Sequence, residues 1–277
     1  MRKQHTVTGG GGLKLNVMEW GQADGPVIFL IHGWSQSYMT WTAQFESDLA
    51  KEFRLIAMDL RGHGMSEAPL EQDAYTDSQL WADDVNAVIE TLGLERPVLV
   101  GWSYGGFVMT DYVRAYGDAN ISGINFVCAA VNIGPEALGP LIGPGFYETF
   151  DDATSDDLER SIDGMRTFVE RCFKVKLSRE TYERVLCWNM TARPDVRASL
   201  AARVIDAKDV LAGIKVPVLT TQGRDDITVL PAMAEYIQSH CPTSTLSWYD
   251  DVAHGPFIEA GERFNDELAS FTRNANA

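Results

Sequence analysis

Short runs rich in apolar residues recur along the chain, each followed by polar or glycine residues. Strands that are buried on both faces of a parallel sheet have this pattern. The runs lie at residues 27–31, 54–58, 97–100, 124–127, 216–220 and 245–249. Residues 13–17 instead alternate apolar and polar positions, which predicts an exposed antiparallel strand beside the others.

Helices are predicted between several of these strands. Thr76 to Gln79 have the sequence of a capping box, and apolar positions at helical spacing follow until Gly93, which provides the C-terminal stop. Residues 107–116 predict a helix directly behind the run at 97–100, and residues 263–271 predict a closing helix. Alternating strands and helices predict an α/β fold with a mainly parallel sheet and helices on both faces.

The segment from residue 131 to residue 202 breaks this alternation, because it offers helices but no convincing strand. Ser155 and Ser178 are predicted N-caps with acidic residues in the first turn, and Pro194 predicts the start of a further helix. We interpret the segment as a helical cap inserted into the sheet domain. The predicted units are a core domain of residues 1–130 and 203–277 and a cap of residues 131–202.

The composition is that of an ordinary globular protein: of 277 residues, 45% are hydrophobic and 22% are charged. No apolar run approaches the roughly 20 residues that a membrane span requires, and no secretory signal is visible, so a cytoplasmic location is expected. The formal net charge is -16, from 39 acidic and 23 basic residues. Such a surface repels phosphate backbones and anionic lipids, which argues against a nucleic acid or a membrane as partner and says little about a small neutral substrate. The composition leaves the oligomeric state open.

The cysteines have no metal-binding or redox spacing. Cys128, Cys172, Cys187 and Cys241 form no CxxC pair. We predict that they are buried free thiols of a reducing compartment and that they form no metal site.

Ser103 is the residue that the sequence marks most clearly for chemistry. It lies at the centre of Gly101-Trp102-Ser103-Tyr104-Gly105, a G-x-S-x-G sequence between a predicted strand and a predicted helix. Such an elbow turns sharply and exposes the serine at the strand end, and its glycines remove Cβ atoms that would clash. The N-terminus of the following helix favours negative charge at this place. We predict that Ser103 is a nucleophile, which requires a general base to take its proton.

Acyl transfer at Ser103 builds negative charge on a carbonyl oxygen, and two N–H donors are needed to stabilise it. Tyr104, directly after the serine, offers one backbone N–H group, and the loop after the first apolar run offers another. Trp34 is the predicted second donor, and Gly33 before it allows the backbone to approach the substrate closely. The predicted oxyanion hole therefore consists of the Trp34 and Tyr104 N–H groups.

Several pieces of the sequence together resemble the α/β-hydrolase superfamily over nearly the whole chain. They are His32-Gly33-Trp34, Asp59 to Ser66, Gly101 to Gly106, Gly223 to Asp226 and His254 to Glu259. Within the superfamily the chain is most similar to the group of carboxylesterases, lactonases and cofactor-free haloperoxidases. The resemblance implies a mainly parallel α/β-hydrolase sheet, a helical cap, and a catalytic triad in the chain order serine, acid, histidine.

This chain order limits the choice of the acid and the base. His254 follows the last predicted strand and is the predicted base, whereas His240 lies at a predicted helix end. Asp226 fits the family spacing G-x-x-D after the run at 216–220 and is the predicted acid, with Asp225 as the alternative.

Two earlier histidines are further candidates for the base. His32 precedes Gly33 at a strand end, and His63 lies in Asp59-Leu60-Arg61-Gly62-His63-Gly64. Both are predicted instead to brace loops beside the site through hydrogen bonds.

Two departures from related enzymes narrow the chemistry. Epoxide hydrolases and haloalkane dehalogenases resemble this scaffold but carry an aspartate nucleophile, where this chain has Ser103. Perhydrolases of the haloperoxidase type often have Phe before the serine and Met after it. Trp102 and Tyr104 occupy these positions here, which argues against that side activity.

The substrate pocket is expected to be mostly apolar. Its candidate lining residues are His32, Trp102, Phe146 and Trp188. We predict a serine hydrolase that cleaves a small to medium carboxylic ester or lactone by two-step acyl transfer, without a metal or an organic cofactor. A C–C bond hydrolase, a cofactor-free dioxygenase and a non-catalytic small-molecule binder are the alternatives.

Overall fold

The computed structural model describes residues 2–134 and 141–277. Its strands are β1 (Lys3–Thr8), β2 (Lys14–Gly21), β3 (Val27–Ile31), β4 (Arg54–Met58), β5 (Val98–Trp102), β6 (Gly123–Val127), β7 (Asn132–Ile133), β8 (Ile205–Asp206), β9 (Val218–Gly223) and β10 (Ser244–Tyr249). The main sheet has the order β1-β2-β4-β3-β5-β6-β9-β10. The pairs β1–β2 and β2–β4 are antiparallel, and all later pairs in this order are parallel. The predicted mainly parallel sheet is confirmed.

Helices connect most of these strands. They are α1 (Thr42–Phe45), α2 (Leu49–Glu52), α3 (Asp73–Thr76), α4 (Ser78–Thr91), α5 (Gly105–Tyr116), α6 (Pro144–Ala153), α7 (Leu158–Arg171), α8 (Arg179–Asn189), α9 (Pro194–Ala201), α10 (Lys208–Gly213), α11 (Pro231–His240), α12 (Pro256–Glu259) and α13 (Gly261–Ala275). Single 3-10 turns lie at Gly10–Gly12 and Tyr38–Trp41. Four consecutive helices, α6 to α9, lie between the short strands β7 and β8, and we call them the insertion.

The sheet is covered on both faces. In β3 the side chains of Phe29 and Ile31 pack into one apolar cluster, while Ile28 and Leu30 pack into another. The first cluster contains side chains of α4 and α5, and the second contains side chains of α13. Because successive side chains of a strand point to opposite faces, the two clusters are the cores on the two sides of the sheet. The predicted α/β architecture with helices on both faces is therefore confirmed.

The antiparallel edge of the sheet corrects two predictions. The sequence predicts an exposed strand at residues 13–17, but β2 lies between β1 and β4 and is mostly buried. The edge strand is β1, which has no continuous apolar run because most of its side chains face solvent. Strand β7 lies in the segment predicted to have none. Strands β7 and β8 have two residues each, too few to leave a periodic pattern.

Two predicted N-caps are displaced towards the C-terminus. Asp77, rather than Thr76, caps α4, and its side chain accepts a hydrogen bond from the Gln79 N–H. Asp157, rather than Ser155, caps α7. In both places an aspartate follows the predicted residue closely, and its carboxylate is an equally good acceptor for the free N–H groups of the first turn.

The insertion begins and ends at the antiparallel pair of β7 and β8, which forms a small sheet separate from the main one. As predicted, Ser178 caps α8 and Pro194 is the first residue of α9. Cys187 on α8 is exposed, which corrects the prediction of a buried thiol, whereas the other three cysteines are buried and free. Within residues 2–134 and 141–277, no helix is long and apolar enough to cross a membrane.

A buried ion pair fixes the loop that follows β4. Arg61 donates to both carboxylate oxygens of Asp84 on α4 over 2.8 Å, and both side chains are buried. Arg61 also donates to three backbone carbonyls, one of which belongs to Gly10. The loop that carries His63 is thereby attached to the helices on one face of the sheet.

Replacing Asp84 with alanine is expected to lower the free energy of unfolding by about 3–5 kcal/mol, because it leaves the Arg61 guanidinium buried without its carboxylate. Urea unfolding followed by tryptophan fluorescence measures the loss. The control is Asp209→Ala, which removes the partner of Arg114 in an exposed ion pair; its expected loss is below about 1 kcal/mol. Equal losses in the two variants would contradict an anchoring role for the buried pair.

Candidate active site

Ser103 lies in the tight turn between β5 and α5. Its backbone has a φ of +54°, a left-handed conformation that is costly for a residue with a Cβ atom. The Ser103 N–H donates to the Val127 carbonyl, and the Ala130 N–H donates to the Ser103 carbonyl. The chain at the end of β6 therefore maintains the strained turn and holds the serine at the carboxyl edge of the sheet.

Glycines make room for this turn. A Cβ atom on Gly105 would lie 2.7 Å from the Ile31 carbonyl oxygen, and one on Gly33 would lie 3.0 Å from the Cβ of Ser103. The loop after β3 thus passes directly beside the serine. Glycine is required at position 105 for steric reasons, and a Cβ atom at position 33 would press tightly against the serine.

His254 and Asp226 form a buried hydrogen-bonded pair. His254 Nδ1 lies 2.7 Å from Asp226 Oδ2, and both side chains are almost fully buried. Asp226 Oδ1 accepts from the backbone N–H groups of Thr228 and Val229, and Oδ2 also accepts from Gln222 Nε2. These hydrogen bonds fix the carboxylate, and the carboxylate in turn fixes the orientation of the imidazole.

The other imidazole nitrogen, His254 Nε2, is buried and has no hydrogen-bond partner among the described residues. Trp102 joins this histidine to the elbow, because its indole N–H donates to the His254 carbonyl over 2.7 Å. The two rings lie 5.3 Å apart. In this structure no hydrogen bond joins His254 Nε2 to Ser103. Such bonds are often long without a substrate and tighten in the complex.

Cys128 lies behind the pair, directly after β6. Its sulfur and ligand-type atoms of Asp226 and His254 all lie within 4.8 Å of one another. Burial raises the pKa of the Cys128 thiol well above its ordinary value. The thiol is therefore neutral, and a neutral buried thiol is a poor nucleophile and a poor metal ligand.

The two earlier histidines brace the loops beside the site. His32 Nε2 accepts from the Leu60 N–H, and His63 Nε2 accepts from the Ser35 N–H. The Nδ1 atom of each ring donates to a nearby backbone carbonyl. Burial is the largest cause that lowers the pKa of both rings, to about 4 for His63. Each ring is neutral with both nitrogens engaged, so neither histidine is free to act as a base.

Two backbone N–H groups belong to segments that adjoin Ser103. Tyr104 follows it at the N-cap of α5, and Trp34 follows Gly33 in the loop after β3. Among the described residues neither N–H group is engaged in a turn or loop hydrogen bond.

A narrow cavity of about 40 Å³ opens over Ser103. Trp34, Phe146 and Phe168 form an aromatic group along it, and the two phenylalanine rings meet the Trp34 ring edge-on at 5.1 Å. The other described lining residues are mostly aliphatic or small, and no described lining residue carries a charge.

Comparison with known proteins identifies the family. A family model for the alpha/beta hydrolase fold matches residues 26–261. The chain belongs to the α/β-hydrolase family. The matched region contains the elbow, Asp226 and His254, and it confirms the superfamily resemblance found in the sequence.

Similar proteins cover almost the whole chain. It is 30% identical over 256 residues to the AB hydrolase superfamily protein YisY of Bacillus subtilis (strain 168), covering 90% of this chain and 92% of that protein. The crystal structure of esterase RhEst1 from Rhodococcus sp. ECU1013 matches with a TM-score of 0.93 and 32% identity over 98% of both chains. Esterase EaEST from Exiguobacterium antarcticum matches with a TM-score of 0.85 and 25% identity over 98% of this chain and 100% of its own.

The described pocket of this α/β-hydrolase contains one of the four residues that the sequence names for its lining. Of the four residues expected to line it, Phe146 does so. His32 and Trp102 lie outside the described lining, because they are buried in hydrogen bonds to neighbouring backbone. Trp188 is half-buried and packs against the core instead.

Some residues that shape the site were not singled out from the sequence. Gln222 lies four residues before Asp226 at the end of β9, and a polar residue in a buried strand end is a signal that could have revealed it. The position of Cys128 is a similar signal. This residue comes directly after the buried strand β6, at the same edge of the sheet as the turn that carries Asp226. Arg197 gave no such signal, because its neighbours come from four separate segments.

Proposed function

We propose that this protein is a serine hydrolase that cleaves a small to medium carboxylic ester or lactone with an apolar acyl part. The proposal rests chiefly on the hydrogen-bonded pair of His254 and Asp226 beside the strained elbow of Ser103. The Nε2 atom of His254 is buried and has no hydrogen-bond partner among the described residues. The cavity over the serine is apolar. The names of the esterases RhEst1 and EaEST support a hydrolase that acts on ester bonds.

In the proposed first step, His254 Nε2 takes the proton from Ser103 Oγ as this oxygen attacks the ester carbonyl. Asp226 keeps the Nδ1–H tautomer and stabilises the imidazolium that forms. The N–H groups of Trp34 and Tyr104 stabilise the negative charge on the tetrahedral intermediate. The C–O bond to the leaving alcohol then breaks, and the alcohol takes its proton from His254.

In the second step, water attacks the acyl-enzyme, and His254 removes the proton of the water. The same N–H groups stabilise the second tetrahedral intermediate, and Ser103 leaves with the proton from His254. The proposed route uses no metal and no organic cofactor.

We also propose that the insertion is a substrate-selecting cap, with a core domain of residues 1–130 and 203–277 and a cap of residues 131–202. Phe146 on α6, Phe168 on α7 and Leu200 on α9 line the cavity together with the core residues of the elbow. The acyl part would therefore contact side chains of the cap as well as side chains of the core.

A panel of p-nitrophenyl esters tests the proposed substrate class. We expect kcat/KM to rise by roughly fourfold per methylene from acetate, since each buried CH₂ contributes about 0.8 kcal/mol. It should pass a maximum near butyrate or hexanoate and fall for longer chains that overfill the cavity. Acyl-homoserine and simple lactones run in parallel decide between esters and lactones. Absence of turnover for every member of the panel would contradict the proposal.

Phe146→Ala is the matched variant for this panel, because it enlarges the cavity at one wall. Its optimum should move to a longer acyl chain, while Trp188→Ala, outside the described lining, should keep the parental optimum. A shared shift in both variants would show that the cavity is not the acyl site.

The three alternative functions predict different observations. A C–C bond hydrolase acting on a substrate with a second carboxylate needs a polar partner for that charge, and no described lining residue is charged. A cofactor-free dioxygenase would consume oxygen with an aromatic substrate. A non-catalytic binder would bind esters without releasing alcohol.

A further inference from the structure

Arg197 on α9 is a fully buried cation. Among the described residues no carboxylate lies within ion-pair distance of its guanidinium. Burial lowers the pKa of Arg197 to about 10, which still leaves the side chain charged at neutral pH. An arginine buried in this way costs free energy and requires a compensating structure.

The compensation comes from the ends of two helices of the insertion. Arg197 Nη1 donates to the Ala153 carbonyl at the end of α6, and Nη2 donates to the Asn189 carbonyl at the end of α8. Nη1 also donates to Ser161 Oγ on α7. Because helix C-termini carry partial negative charge, the guanidinium neutralises two of them and joins the helices of the insertion to one another.

The same residue is bonded twice to the loop that carries the predicted oxyanion donor. Arg197 Nε donates to Ser35 Oγ over 2.8 Å, and the Trp34 indole N–H donates to the Arg197 carbonyl over 3.0 Å. Ser35 Oγ in turn donates to the Asn189 carbonyl, and the Ser35 N–H donates to His63. Ser35 has a φ of +58°, so this loop is strained and depends on its neighbours for its conformation.

We infer that Arg197 is a positioning residue for the oxyanion hole: it holds the Trp34–Ser35 loop, and hence the Trp34 backbone N–H, in place beside Ser103. The inference rests on the proposed serine-hydrolase function. Since the bonds of Arg197 reach α6, α7 and α8 as well, the hole is fully formed only when the insertion is packed on the core. Arg197 does not line the described cavity, so it acts through Trp34 and Ser35 rather than on the substrate.

The test compares Arg197→Met with the parent protein, using p-nitrophenyl butyrate and a trifluoromethyl ketone that forms a tetrahedral adduct with a serine nucleophile. Loss of one oxyanion donor lowers kcat by about 10²–10³. We expect a fall in kcat of about 100-fold with KM changed by less than about twofold, because the donor acts in the transition state. The inhibition constant of the ketone should weaken in parallel with kcat. If Arg197 had a purely structural role, the variant would yield less folded protein, but kcat and the affinity for the ketone would not fall together.

Three further variants complete the design. Trp34→Phe and Ser35→Ala each remove one of the two bonds to Arg197, and each should show a smaller loss of kcat with the same parallel in ketone affinity. These two variants decide the question if Arg197→Met does not fold. Ser161→Ala removes a bond on the far side of the guanidinium and should keep kcat within about twofold.

The outcomes are distinguishable from those of the proposed function. Folded Arg197→Met with parental kcat, or Ser161→Ala as damaging as Ser35→Ala, would overturn the positioning role. If Ser103→Ala is inactive while the Arg197 and Ser35 variants are unaffected, only this inference fails. If Ser103→Ala retains activity, the proposed function itself fails.

Discussion

Replacing Ser103 with alanine is expected to lower kcat for p-nitrophenyl butyrate by about 10⁵–10⁶, the scale measured when the nucleophile of a serine triad is removed. Without Oγ no acyl-enzyme can form, and the only remaining catalysis is the attack of water helped by the oxyanion donors. The substitution should leave the fold intact, because the hydrogen bonds of Ser103 to Val127 and Ala130 use its backbone.

Two measurements accompany the rate. Labelling by a fluorophosphonate should be complete in the parent and absent in Ser103→Ala, since the reagent forms its bond to the serine oxygen. Ser122→Ala is the control: Ser122 is also buried and lies before β6, and its variant should keep both activity and labelling. Near-parental hydrolysis by Ser103→Ala would refute the nucleophile assignment. Parental binding of an ester with no turnover in either protein would identify a binder.

The elbow could be predicted because its elements are contiguous in the sequence. A buried strand, a G-x-S-x-G turn and a helix follow one another at 98–116, and local sterics decide their geometry. Asp226 and His254 are distant in sequence, but each follows a strand of a parallel sheet. The carboxyl ends of such strands meet at one edge, so chain order alone brings the two residues to a common place.

The parts that could not be predicted depend on packing between distant segments. Phe168 lines the cavity while Trp188 does not, although both are aromatic residues on helices of the insertion. The periodicity of a helix shows which face is apolar, but not whether that face meets a cavity or a core. Arg197 is a similar case, since four segments must be in place before its guanidinium has any partners.

The errors in the predicted ends of helices and in the edge strand have a different physical origin. The N-cap of α4 is Asp77 rather than Thr76, because neighbouring side chains can satisfy the same free N–H groups and their competition is decided by less than about 1 kcal/mol. Strand β1 was not predicted because it is an edge strand. Such a strand pairs on one side only and buries few side chains, so its sequence has no clear apolar pattern. Neither error moves a residue of the candidate site.

The second large effect is expected for Asp226→Asn, with a fall in kcat of about 10⁴. All four hydrogen-bond partners of Asp226 are donors: His254 Nδ1, Gln222 Nε2 and the backbone N–H groups of Thr228 and Val229. The amide oxygen of asparagine will take the place of Oδ1, where it meets the two backbone donors. The amide NH₂ group then faces His254 and can only donate to its Nδ1.

That donation selects the wrong tautomer of the imidazole. With Nδ1 as an acceptor, the proton of the ring resides on Nε2, and Nε2 can no longer take the proton from Ser103. KM should change little, because Asp226 does not line the described cavity. The expected signature is therefore a loss confined to kcat, measured with the optimal ester of the chain-length panel at neutral pH.

Asp225→Asn is the matched control for this prediction, as the adjacent residue of the same type. Asp225 is half-exposed and accepts from Lys174 Nζ at the surface, so its variant should keep kcat within about twofold. Comparable losses in the two variants would mean that the turn after β9, rather than the carboxylate of Asp226, is what the enzyme requires. A loss confined to Asp225→Asn would reassign the acid to that residue, although the 2.7 Å contact of His254 is with Asp226.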